Sequence, residues 1–320
     1  MSGMMAIFRK ELVDHFTSLR FVILLLLVLA FVVVTMFIAA GNIRGYVTDT
    51  TEFIFLTLFV LPGPEVPVLG QISFPVILAI FIPIIGIILG FDTINSERAS
   101  GNLSRILSQP LYRDSVINGK FLAGLITLAI LLASIVILIS GMGLRMIGVP
   151  PTAEEILRLF AFLFVSIVYG AFWMALAVLF SVLFKNTATS ILVSLSIWIL
   201  LFLFISPIAQ SVASAIVPID QNSSLDAIIK FDQIYGNIKR ISPTTLYGEA
   251  TAALLVPELG NVSALQMIIG VETKGLKPSP LPLGQSLLLI WPQLTTLIAL
   301  TALCFAGSYI KFMREEIRAT

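Results

Sequence analysis

The residues best equipped for chemistry in this chain are few, and most of them crowd into one stretch, FDTINSERASGNLSRILSQPLYRDSVINGKFLAG, at 91–124. Within it Asp92, Glu97, Arg98, Arg105, Arg113, Asp114 and Lys120 bracket the apolar residues Leu103, Ile106 and Leu107. Their spacing predicts one face of a short helix stopped by Pro110, a face suited to a protein groove or a bilayer surface. Arrangements that make or break bonds are missing. The sequence has no G-x-x-x-x-G-K-[ST] phosphate loop, no G-x-S-x-G and no H-E-x-x-H. His15 and Cys304 each stand alone, and Cys304, inside an apolar run, behaves as a small hydrophobe. The polar stretch therefore promises recognition rather than catalysis.

The elements that must hold this stretch are built for lipid. Of 320 residues, 58% are hydrophobic and only 12% charged, with a mean hydropathy of +1.04, whereas soluble domains carry about 25% charged residues. Six apolar runs are long enough to cross a bilayer as helices: 21–40, 72–91, 116–141, 156–184, 188–207 and 286–310. The first is longer than the apolar core of a cleavable signal peptide and follows an amphipathic segment rather than a short basic stub, so it is read as a span. A formal net charge of +1 and no dense Lys/Arg cluster exclude nucleic acid as a partner.

Basic residues flank the spans unevenly. Arg9, Lys10, Arg20, Arg98, Arg105, Arg113, Lys120, Lys185, Lys311, Arg314 and Arg318 fall on one side, against Arg44, Arg145 and Arg158 near the short connections of the other. The positive-inside bias puts both termini in the cytoplasm of a multi-pass protein of the cell membrane. The chain then divides into a cytoplasmic segment at 1–20, spans one to five at 21–207 with a polar loop at 92–115, an external insertion at 208–285, and span six with a tail at 286–320.

Before the first span, Ile7, Phe8, Leu12, Phe16 and Leu19 recur at three- and four-residue spacing while Arg9, Lys10 and Asp14 fall elsewhere, which predicts an interfacial helix. In the insertion, Leu225, Ile228, Ile229, Asp232 and Tyr235 suggest an amphipathic helix, and Ser242 with Pro243 opens another through Leu246, Ala250 and Leu254. These predict a small helical domain or lid on the outer face. A shorter loop at 42–71 carries Phe53, Phe55, Leu56 and Phe59, expected at the interface or packed on the insertion.

The order R-K-E-L with Asp14 and Arg20, then D-x-x-x-x-E-R-x-x-G-x-L, L-S-x-P-x-x-R and G-K-F-L-A, resembles the ABC type-2 exporter permease family. The matching residues are Arg9, Lys10, Glu11, Leu12, Asp14 and Arg20, then Asp92, Glu97, Arg98, Gly101 and Leu103, then Leu107, Ser108, Pro110, Arg113, Gly119 and Lys120. Asn102 stands where the family often has Thr. The resemblance implies an all-α polytopic fold with six transmembrane helices, an elbow helix at 4–18 carrying Arg9, Lys10, Glu11, Asp14 and Arg20, and a coupling helix at 102–108. Coupling would involve Glu97, Arg98, Gly101, Leu103, Arg105, Ile106, Leu107 and Arg113. It also implies membrane lipid around the chain, a separate ABC ATPase subunit that binds ATP and Mg, and pairing with a second copy or a related permease.

Physical reading agrees with an external motor. The spans carry almost no ionisable group inside the membrane, where ion-coupled carriers place one, and the chain lacks a phosphate loop of its own. An alternative is an ATP-independent carrier or channel using unwound backbone at Pro75, Pro83 or Pro292. A lipid-modifying membrane enzyme is the third reading, without a motif to support it. Phe172, Trp173, Met174 and Trp198 are read as packing or lipid-facing residues, and Ser166, Gly170 and Ala177 as small residues that let helices approach. An apolar path lining suits a lipid-like, hydrophobic or peptide cargo.

Overall fold

Apolar runs without internal charge have one stable form in a bilayer, the helix, because every backbone N–H and C=O must find its partner within the segment. The computed structural model describes residues 3–46, 53–60, 65–66, 70–71, 73–101, 112–148, 150–219, 223–257 and 281–314. Among these, six helices are long and apolar enough to span a membrane. Spans one to four are Leu19–Tyr46, Phe74–Gly90, Arg113–Ile147 and Ala153–Leu183. Span five is Thr187–Ile216 and span six Leu283–Arg314. A separate helix, Gly3–Thr17, precedes them, and the only extended pairing among the described residues is Glu65–Val66 with Gly70–Gln71.

Span four is the axis of the bundle. In its most apolar window 72% of residues are buried, against 11% for spans five and six, so the latter two present most of their surface outward. Trp173, Met174 and Phe172 on span four are buried, which makes them packing residues rather than lipid-facing ones. Span two meets span four through glycine: a Cβ on Gly86 would stand 2.7 Å from the Gly170 carbonyl oxygen and one on Gly90 2.6 Å from that of Met174. The small residues noted in the sequence thus serve contacts inside one copy.

Span five does not stop at 207. It passes through a π-helical turn, Leu200–Phe204, and continues as Ile205–Ile216. Pro207 lacks an N–H and crowds the carbonyl one turn back, and the wider turn just before it accommodates both effects without ending the helix.

The insertion expected between spans five and six is helical. Leu225–Lys239 and Pro243–Leu255 make an open helical hairpin whose arms pack on the spans rather than on each other, the first on Ile205–Ile216 and the second on spans two, four and six. Leu246, Tyr247, Ala250, Ala253, Leu254 and Leu255 are all buried, and a helix apolar on nearly every side belongs in a core. Its Tyr247 lies on Tyr169 of span four, ring centroids 4.4 Å apart, and shares a hydrogen bond with Ser166. At the hairpin's tip Ser242 Oγ donates to the Leu201 carbonyl, halfway along span five. The helix Ile54–Val60 packs its Phe59 against Phe74 and Phe162 and touches the hairpin, as the second expectation for that loop had it.

Candidate functional site

Three segments far apart in sequence converge on one buried ammonium. Lys120, near the start of span three, has a side chain only 4% exposed, and its Nζ stands 2.8 Å from Glu11 Oε1 and 2.8 Å from Glu97 Oε1. Glu11 belongs to the N-terminal helix and Glu97 to the short helix Asn95–Ala99 that follows span two. Lys10 adds contacts of 3.1 Å to Glu11, 3.4 Å to Asp14 and 3.9 Å to Glu97. Burial works to raise the Glu11 carboxyl, but Lys120 and Lys10 outweigh it and hold the group below its ordinary range. His15, one turn on, is pushed down by burial, against the pull of Glu11 and Asp92.

Backbone geometry makes this approach possible. A Cβ on Gly119 would stand 3.2 Å from Ile7 Cγ2 and 3.2 Å from the Met4 carbonyl oxygen, so the missing side chain seats the N-terminal helix on span three. The adjacent Lys120 then grips Glu11. The G-K pair of the sequence therefore combines a contact surface with its clamp.

The polar loop is anchored at both of its described edges. At the front, the Ile94 and Asn95 amides donate to Ser181 Oγ at the end of span four, and Arg98 reaches the Val182 carbonyl at 3.5 Å. Gly101 ends this edge with φ +72, a left-handed conformation that glycine adopts without cost. At the rear, Arg113 donates to the Met313 carbonyl near the end of span six, 3.4 Å away. Arg20 pairs with Asp92 at 3.0 Å, a more exposed contact. Arg9 stands exposed on the N-terminal helix. Leu103, Arg105, Ile106 and Leu107 lie outside the described residues, so the helix expected at 102–108 is framed by its anchors alone.

Sequence reasoning missed two polar clusters. Arg158, counted there only as a flanking charge, is wholly buried: it pairs with Glu154 at 2.8 Å and donates to the carbonyls of Leu254 and Leu281 and to Ser286 Oγ. It pins the returning hairpin to spans four and six. Beside it Glu155 closes a capping box with Thr152 and accepts the amides of Phe55 and Leu56. The T-x-x-E spacing is a readable signal for that cap. The second cluster joins Arg240 to both oxygens of Glu249 at 3.0 Å, with Gln293 of span six donating to Glu249 at 2.9 Å. No span carries these two charges; the hairpin brings them in.

Nothing in either cluster arranges a nucleophile beside a base, and no group of His, Cys, Asp and Glu able to hold a metal occurs among the described residues. A family model described as "ABC-2 family transporter protein" matches residues 5–317. No curated protein matches the chain.

Proposed function

The chain belongs to the ABC-2 transporter family, and on that footing we propose that it is the permease subunit of an ATP-driven exporter whose ATP and Mg are bound by a separate ATPase. Both termini and the polar loop face the cytoplasm, and two copies, or one with a related permease, enclose the path. The observation that carries this reading is the Lys120 cluster. It ties the N-terminal helix to the front of the one loop that pairs an apolar face with a charged rim, so a push on that loop reaches spans two and three together.

Docking rests on Leu103, Ile106 and Leu107, each able to contribute about 1.5–3 kcal/mol on burial before ordering costs. Arg98 and Arg105 form the rim and set orientation, while Glu97 is turned inward onto Lys120. Purified Leu103→Asp and Leu107→Asp should insert normally yet fail to recover the ATPase in a pull-down. Undiminished recovery with ATP-dependent transport intact would place the docking surface elsewhere.

A second reading, an ATP-independent carrier, draws on Glu249, an ionisable group inside the bundle of the kind such carriers use. It ranks lower because Glu249 is paired with Arg240, so the two together offer a coupling ion no net charge. Transport by proteoliposomes containing this chain alone would favour it.

A further inference from the structure

The cavity beside the hairpin has two unlike walls. Its volume is about 700 Å³, within the range of small-molecule sites. The hairpin supplies a polar wall with Asp232, Lys239, Arg240 and Glu249, while span five supplies Leu201, Phe202 and Ile205. The apolar wall includes the π-helical turn, an irregularity that recurs at functional sites.

Depth gives this wall its meaning. Ser242 bonds to Leu201 at the middle of span five, so the hairpin tip reaches the middle of the bundle. Arg240 there is 53% exposed and Glu249 30%. Charged groups held at that depth against hydrocarbon are costly and face a bundle interior or a watered cavity instead. Outside the cavity lining, Gln293 of span six donates to Glu249 Oε2 at 2.9 Å.

We propose that this cavity holds the polar end of the cargo, and that the cargo is an amphiphile whose headgroup is zwitterionic. The assignment rests on the permease reading given above. Arg240 takes the anionic part of the headgroup and Glu249 the cationic part, while the apolar tail lies along Leu201, Phe202 and Ile205. An anionic headgroup satisfies Arg240 but leaves Glu249 facing it, and an uncharged one cannot replace the internal ion pair, so both bind less well.

The test uses the full chain in nanodiscs without its ATPase, with fluorescent short-chain phosphatidylethanolamine, phosphatidylglycerol and diacylglycerol as probes. Wild type should hold phosphatidylethanolamine about tenfold more tightly than either other probe, a difference of about 1.4 kcal/mol. Arg240→Gln and Glu249→Gln should each abolish that preference. The double variant Arg240→Gln/Glu249→Gln, which leaves no unpaired charge, serves if either single variant fails to fold. Equal binding of the three probes by wild type, or a preference unchanged in the double variant, overturns the proposal. Because no ATPase is present, failure of ATPase recovery by the wild-type chain would count against the permease reading and leave this binding result standing.

Discussion

Tyr169 and Tyr247 lie face to face, centroids 4.4 Å apart and planes 9° from parallel, one on the central span and the other on a hairpin helix 78 positions later by the numbering. Each hydroxyl has its own partner, Thr244 for Tyr169 and Ser166 for Tyr247. The stack and its two crossed hydrogen bonds fasten the hairpin into the bundle. Tyr247→Ala should destabilise the protein by about 3–5 kcal/mol, as for other large aromatic truncations in a core. Tyr247→Phe should cost only about 1 kcal/mol through the lost hydrogen bond. Hydrogen exchange of the backbone between 243 and 255 reads the difference; equal protection in both variants would show that the hairpin is held elsewhere.

Lys120→Met leaves Glu11 and Glu97 with only the exposed Lys10 between them. Breaking a buried ion pair from one side costs about 3 kcal/mol or more, so melting temperature should drop clearly. ATP-driven transport should fall further than stability alone explains, because the N-terminal helix is released from the loop. Lys120→Met with Glu11→Gln should regain part of the stability. A melting temperature unchanged in the single variant would refute the clamp.

Acid should loosen the N-terminal helix in two steps. The folded protein holds both His15 and Glu11 below their ordinary values of 6.5 and 4.5. The unfolded chain therefore binds protons first, and each group's contribution is complete above its ordinary value and lost as pH falls through the folded one. Thermal melts from pH 7 to pH 4 should show stability declining below about pH 6.5. His15→Asn should remove the upper part of that decline, and a decline unchanged in this variant would assign it to another group.

Two glycine substitutions should rank by what their new methyl meets. At Gly86 the obstacle is the Gly170 backbone at 2.7 Å, whereas at Gly119 the contacts are 3.2 Å to an Ile7 side chain and the Met4 carbonyl. Gly86→Ala should cost about 1–3 kcal/mol by overpacking, and Gly119→Ala less. Thermal melts of both variants decide the order.

The six spans were legible because twenty apolar residues in succession have no other stable form beside lipid. The hairpin's two helices were legible too, from Ser242, Pro243 and the periodicity around Leu225 and Leu246. Their location was not. The prolines make 208–285 read as an external insertion, and only tertiary packing reveals that Glu249 meets Arg240 across a turn and Gln293 across the bundle. The same holds for Glu11 and Lys120, which no sequence period links. Gly119 and Lys120 were noticed as a pattern, but their division of labour required the helix Gly3–Thr17 to be seen lying on them.

The π-helical turn at Leu200–Phe204 gives span five one residue more than a regular helix of the same length requires. Relaxing that turn to ordinary helix would act as a screw, rotating Ile205–Ile216 by about 100° and advancing it by about 1.5 Å, the increment of one helical residue. Ser242 bonds to a carbonyl inside that turn, so the thread and the hairpin tip share one fastening point. A spin-label distance between positions 190 and 212, unchanged through the ATPase cycle, would exclude such winding. Where it occurs, the polar wall and the apolar wall turn past one another, and an amphiphile seated between them loses its grip at both ends together.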